Sequence, residues 1–274
     1  MMTTTIDQKT FEKYVPAFAS ASDDTFVRMV PYIELVGANV QKNVGEHATD
    51  TTQQLIERYI CVSAARIAAP QLDLVLTPNG FGVVSSQNVV PASRERVNAL
   101  IEQLRIDEST TFDLIVANLL DTDWAKSPVA EQHISSLLYS PTMMRRYGIK
   151  DSEGKEVYFQ EWQGLQNELA IAEEKVRTLI SPELYDRLIE IQRIPDTEAR
   201  TEYNIVLEQA RKVVASWITV DRYPQAPRAL SHRLLDTINR YADKLKEYSS
   251  SSTYRARNTQ GYENKKEDST YFFG

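Results

Sequence analysis

The four residues Thr77-Pro78-Asn79-Gly80 are the most restrictive local signal in this chain. Proline pre-sets φ at the second turn position, and Asn and Gly tolerate the positive φ that follows. Leu72, Leu74 and Leu76 alternate with Asp73 and Val75 before the turn, a period of two that suits a half-buried strand. Phe81 to Val84 returns as the partner strand, with Gly82 permitting a bulge or a close backbone approach. A β-hairpin over about 72–84 is therefore expected. After a polar bend, Pro91 ends the extended run and Ser93 can cap a helix whose face holds Val97, Leu100, Ile101 and Leu104.

Everything around the hairpin reads as helix. Phe26, Val30, Ile33, Gly37, Val40 and Val44 recur at helical spacing, with Pro31 predicting a kink or a split. Gly37 permits close helix approach, and Gly45 fits a C-terminal stop. Thr52 to Ala69 is a second helix rich in Ala and Ser, ended by Pro70. Ser109 or Thr110 opens another through Leu119, and Trp124 anchors the stretch after it. Residues 128–148 hold a weaker helix broken at Pro141, and Asp151–Lys155 is a polar turn. A long helix from about Phe159 to Ile180 follows. Ser181-Pro182-Glu183 starts a short helix, Asp196 or Thr197 caps the next, and Pro224 and Pro227 precede a last one.

The expected class is mainly α: a helical bundle with the hairpin inserted in its first half and an extended C-terminal tail. Residues 1–125 form a first helical unit, 126–155 a linker region, 156–248 a second helical unit and 249–274 the tail. Internal duplication is suggested by Ile33–Val44 superposing on Leu169–Ile180, and Ala64–Leu74 on Ala210–Val220. The tail begins SSSSTYRARN, which buries too little apolar surface to offset its ordering entropy. Its end, Tyr271-Phe272-Phe273, is apolar and of strong β-propensity.

Only nine glycines in 274 residues argue against a glycine-lined nucleotide site or a turn-rich β-sandwich. The net charge of −7 falls wholly in residues 1–125, which hold 9 Lys/Arg against 16 Asp/Glu. An acidic half disfavours tight nucleic-acid wrapping, which needs cations to displace counterions. It reads first as a solvated acidic face and does not exclude a surface that DNA slides past without sticking. Cys61 is the single cysteine and reads as a buried structural thiol. The opening residues lack a signal-peptide pattern, and no apolar run reaches the roughly 20 residues of a membrane span. Synthesis in the cytoplasm and no membrane association are expected. His47, His133 and His232 are far apart, and no P-loop, GxGxxG or GxSxG occurs. Glu173, Glu174 and Glu183 read as a solvated helix face, and Arg145-Arg146 as ion-pair partners. No catalytic residue, cofactor or metal is expected.

The pair YIELVGANVQKNVG and YICVSAARIAA resembles the helix pair of phage head–tail connector proteins: an apolar helix ending in glycine, then an alanine-rich one. LDLVLTPNGFGVVSSQNVVPAS and the closing YENKKEDSTYFFG are similar to an uncharacterised family encoded in prophages of Bacteroidales. The resemblance implies a virion protein, not an enzyme, located at the neck and made in the host cytoplasm. It implies a homo-oligomeric ring, dodecameric in that resemblance, docked on a portal protein and on neighbouring neck or tail proteins. Genomic DNA would pass through without sequence-specific binding. Another neck or tail-completion protein, or an enzyme, are the alternatives. The expected contact residues are Pro78, Asn79, Gly80 and Phe81 at the hairpin tip, and Arg255, Arg257, Tyr262, Tyr271, Phe272 and Phe273 in the tail.

Overall fold

The computed structural model describes residues 6–18, 23–44, 47–72, 74–77, 80–83, 93–194 and 200–259. Two compact units divide between Leu169 and Ala170.

The first unit is built on α3 (Asp50–Leu72), flanked by α2 (Asp23–Val44) and α4 (Arg94–Leu119), with α1 (Gln8–Tyr14) also packed on α3. Along α3 the buried positions are first Thr52, Ile56 and Ile60, one face at steps of four. From Ile60 to Ala65 every residue is buried, so the helix enters the core. Cys61, Ala64, Ala65 and Ala68 there are fully buried, and their small size lets two neighbouring helices approach together. Burial pushes the Cys61 thiol up to about 12, which leaves it protonated and inert.

Several sequence expectations need correcting here. First, α2 runs through Pro31 without splitting. The bond Pro31 cannot make would have gone to the carbonyl of Val27; both residues are exposed, so water can serve that carbonyl. The buried stripe of α2 is Met29, Ile33, Val36 and Val44; of the expected face Ile33 and Val44 are buried and Phe26 and Val40 pack on the core, so the stripe is widened to take in Met29 and Val36. A Cβ on Gly37 would meet only Ile60 Cδ1 at 3.9 Å, so no close approach requires that glycine. Second, α3 continues through Pro70 to Leu72. Third, residues 94–119 form one helix, not two. The hydroxyl of Thr110 donates back to the Ile106 carbonyl at 2.9 Å instead of capping a new helix. The start is as the sequence implies: Ser93 Oγ accepts from the Arg96 amide.

Between α3 and α4 the backbone of Leu74–Thr77 (β1) pairs antiparallel with Gly80–Val83 (β2), Leu74 opposite Val83 and Leu76 opposite Phe81. Among the described residues these eight are all that lie in strands, and the class is mainly α. Pro78 and Asn79 lie outside the described residues.

Residues 121–165 wrap the same unit as short pieces: a 3₁₀ turn at Asp123–Lys126, α5 (Pro128–His133), α6 (Pro141–Arg146) and α7 (Phe159–Gly164). Ser127 and Ser140 each cap a helix that starts on proline. Ile134, Leu137, Leu138, Met144 and Ile149, all within the expected linker of residues 126–155, are fully buried, as is Val157 after it. The Asp151–Lys155 turn is held by Asp151 Oδ1, which accepts from the amides of Glu153 (3.0 Å) and Lys155 (2.7 Å). Asp113 accepts from the Thr142 hydroxyl, which in turn accepts from Arg145 Nη2 at 2.6 Å. The Arg145 guanidinium lies over the Tyr158 ring at 4.8 Å, and that of Arg105 lies 5.0 Å from the same ring.

The expected long helix from Phe159 is broken at Leu165, and α8 spans Gln166–Ile180. The second unit contains α9 (Pro182–Arg193), α10 (Arg200–Ile218), α11 (Ala226–Arg240), α12 (Lys246–Ser249) and α13 (Ser252–Asn258). Its core is Val176, Leu184, Leu188, Val206, Val213, Leu234, Ile238 and Tyr248, each fully buried. Ser181 adopts φ 120°, a region L-residues rarely occupy, while its Oγ accepts from the Leu184 amide to start α9. The expected caps Asp196 and Thr197 lie outside the described residues.

The expected extended tail is also corrected at its start: Ser249 ends α12 and Ser252–Asn258 form α13, with Ser250 and Ser251 in the turn between them. Ser251 caps α13 by accepting from the Tyr254 amide, and Ser250 Oγ donates to the Lys246 carbonyl at 2.8 Å. Serine hydroxyls at helix ends satisfy backbone groups that water would otherwise serve. A run that looks disordered by composition thus becomes a pair of caps.

Candidate functional site

A half-open cleft of about 500 Å³ lies in the first unit, walled by α2, α3 and α4 and by residues between Trp124 and Trp162. Its lining is mostly apolar and strongly aromatic. Phe112 is the hub: its ring meets His133 edge-on at 5.2 Å, Phe159 edge-on at 5.2 Å and Tyr59 at 6.1 Å. Trp162 adjoins Phe159 at 5.8 Å, and Trp124 adjoins His133 at 6.4 Å. Aromatic pairs at such spacings and tilts are favourable beyond their buried area.

Polar groups interrupt this wall. Glu108 is 4 % exposed, and its carboxylate is held by Arg66 from α3, Nε to Oε2 at 2.6 Å and Nη2 to Oε1 at 3.1 Å. The fork geometry lets one guanidinium serve both carboxylate oxygens. Trp124 Nε1 donates to the Asn43 carbonyl at 2.8 Å, tying the turn after α4 to the end of α2. Burial pushes the His133 imidazole below its usual pKa, and its Nε2 is enclosed without a hydrogen-bond partner. Burial and the neighbouring Glu108 charge push the Tyr59 hydroxyl up to about 12. Near neutral pH the imidazole and phenol are therefore uncharged, and the one cation and one anion cancel. The arrangement is suited to packing an apolar or aromatic group.

The Arg66–Glu108 pair supports a direct test. Arg66→Met should destabilise the first unit by about 2–4 kcal/mol, because the enclosed carboxylate loses its cation. Adding Glu108→Leu should recover most of that in urea titrations. Independent, additive losses would mean the pair does not act as a unit.

Among the described residues no group of three His, Cys, Asp or Glu side chains is placed to hold a metal ion. Gly80 and Phe81 lie in β2, with Phe81 opposite Leu76. Arg255 is exposed on α13, whereas Arg257 is engaged: Nη2 donates to the Leu179 carbonyl at 2.6 Å and Nη1 to the Tyr248 hydroxyl at 3.3 Å. That corrects the expectation of Arg257 on a free tail. Tyr262, Tyr271, Phe272 and Phe273 lie outside the described residues. The sequence reading missed the cleft. Glu108 was the available signal, since it falls on the stripe Leu104, Glu108, Thr111, Ile115 and so had to be paired inside the unit.

The fold and cleft define a mainly helical protein of two compact units, the first carrying an aromatic-walled cleft. Residues 31–133, which span α2 to α5, match the model of DUF6712, a family of unknown function. That stretch supplies all the cleft lining except Phe159 and Trp162. No curated protein and no solved structure matches the chain. Among the described residues, no helix is long and apolar enough to cross a membrane.

Proposed function

We propose that this chain is a structural protein of a phage virion, a head–tail adaptor forming a ring beneath the portal and leaving an axial channel for DNA. The observation that carries the reading is the likeness of YIELVGANVQKNVG and YICVSAARIAA to the connector helix pair. The packing of α2 on the alanine-rich α3 is in keeping with it. The two helical units are read as a duplication of one ancestral unit. The acidic first half suits a channel wall that repels DNA. The chain's own ring, a dodecamer in the connector likeness, has the portal protein as its first partner, with neck or tail proteins below.

The hairpin tip, Pro78 to Phe81, is the contact element toward a neighbouring subunit or ring. Phe81→Ser should impair particle assembly while moving the melting temperature of the isolated chain by under about 2 °C, as for a surface change. A large fall in melting temperature would make Phe81 a core residue instead. The adaptor reading itself is tested by mass spectrometry of purified particles and electron microscopy of their necks. A ring of this chain at the portal is expected; particles lacking the chain would overturn the reading.

A further inference from the structure

We infer that the aromatic-walled cleft is the acceptor for residues 269–273 of a second copy of this chain, Ser-Thr-Tyr-Phe-Phe. The inference rests on the ring-forming reading for its choice of a second copy, and on the cleft's chemistry for the rest.

Charge decides first. Arg66 and Glu108 neutralise each other within the cleft, so no net charge remains there to hold an ionic ligand. The segment 269–273 carries no charged side chain, whereas the stretch before it, Glu263 to Asp268, carries five. Shape decides next. A half-open, largely aromatic cleft of about 500 Å³ suits a short run of aromatic side chains rather than an ionic ligand. The Phe112, Phe159 and Trp162 rings offer edges and faces against which another ring can continue the same edge-to-face arrangement. Asn39, Asn43 and Gln132 on the lining supply donors and acceptors for the Tyr271 hydroxyl and an extended backbone.

Assembly geometry decides the source. A tail seated in the cleft of the next subunit is a heterologous contact, which gives a ring where the rotation closes and an open filament where it does not. A tail seated in a neighbour would link successive subunits without any new fold. The apolar stretch 84–92 contains no aromatic residue and cannot extend the ring network.

The test uses the full chain with Phe272 replaced by the photo-crosslinker p-benzoylphenylalanine. Irradiation should yield covalent dimers whose adducts map to the cleft lining on α2, α3 or α4, to residues 124–133, or to Phe159 or Trp162. Val40→Trp, which fills the cleft from α2, should abolish those dimers, and Val129→Trp gives a second blocking variant should the first not fold. Adducts within one chain, adducts outside the cleft, or none at all overturn the inference. Rings that form without cleft adducts overturn it while leaving the adaptor reading intact. Cleft adducts from a chain absent from virions do the reverse.

Discussion

Trp124→Ala should destabilise the first unit by about 3–5 kcal/mol, the range for removing a large buried aromatic side chain. The indole is 3 % exposed and sits on a 3₁₀ turn of only four residues, Asp123–Lys126. That turn has little stability of its own, so the ring holds it and not the reverse. Thr122 fixes the entry, its Oγ1 accepting from the Trp124 amide at 3.2 Å. The indole N–H then donates to the Asn43 carbonyl, one residue before α2 ends at Val44. Carbonyls in the last turn of a helix have no partner within the helix, so Trp124 serves as a cap from 81 residues away. Trp124→Phe keeps most of the packing and should cost about 1–2 kcal/mol less than alanine does, leaving the lost N–H as the main penalty. Thermal and urea unfolding of the two variants separate these contributions. A loss below about 1 kcal/mol for Trp124→Ala would show that residues 121–134 unfold apart from the α2–α4 core.

Where the chain carries local punctuation, the sequence is readable almost to the residue. Ser181-Pro182 announces α9, and the structure places Ser181 as its cap and Pro182 as its first residue. Ser93 does the same for α4. Ser and Thr mislead where their hydroxyls have two uses. Ser109 and Thr110 look like a cap, yet both lie inside α4, because Thr110 bonds backward within its own helix. Prolines mislead when exposed, as at Pro31 and Pro70, where solvent can take over the missing bond. The stripe on α2 is wider than expected because its neighbours, not its own periodicity, choose which residues face inward. The cleft was least legible. Its rings come from Tyr59, Phe112, His133, Phe159 and Trp162, brought together only by the packing of distant segments. Periodicity reports which face of a helix is apolar, and is silent on which faces meet.

The serine-rich region offers the second large effect. Tyr248→Ala should destabilise the second unit by about 3–5 kcal/mol, on the scale of other buried aromatic truncations. By composition Tyr248 stands one residue before a run expected to be an extended tail. In the structure its side chain is fully buried. Its ring meets Tyr254 edge-on at 5.2 Å, joining α12 to α13. Its hydroxyl donates to Asn239 Oδ1 at 3.2 Å and accepts from Arg257 Nη1 at 3.3 Å, so it reaches α11 and α13 together. Neither α12, with four residues, nor α13, with seven, is long enough to be stable alone in water. Both therefore depend on this anchor. Tyr248→Phe removes only the hydroxyl and should cost about 1 kcal/mol. Hydrogen exchange gives the sharper readout. In the unaltered chain the amides of Arg255 and Thr259, which bond to the carbonyls of Ser251 and Arg255, should be protected. In Tyr248→Ala they should exchange rapidly while α10 remains protected. If protection of Arg255 and Thr259 survived the alanine substitution, α13 would be held by Arg257 on the Leu179 carbonyl instead. Arg257→Ala would then release it.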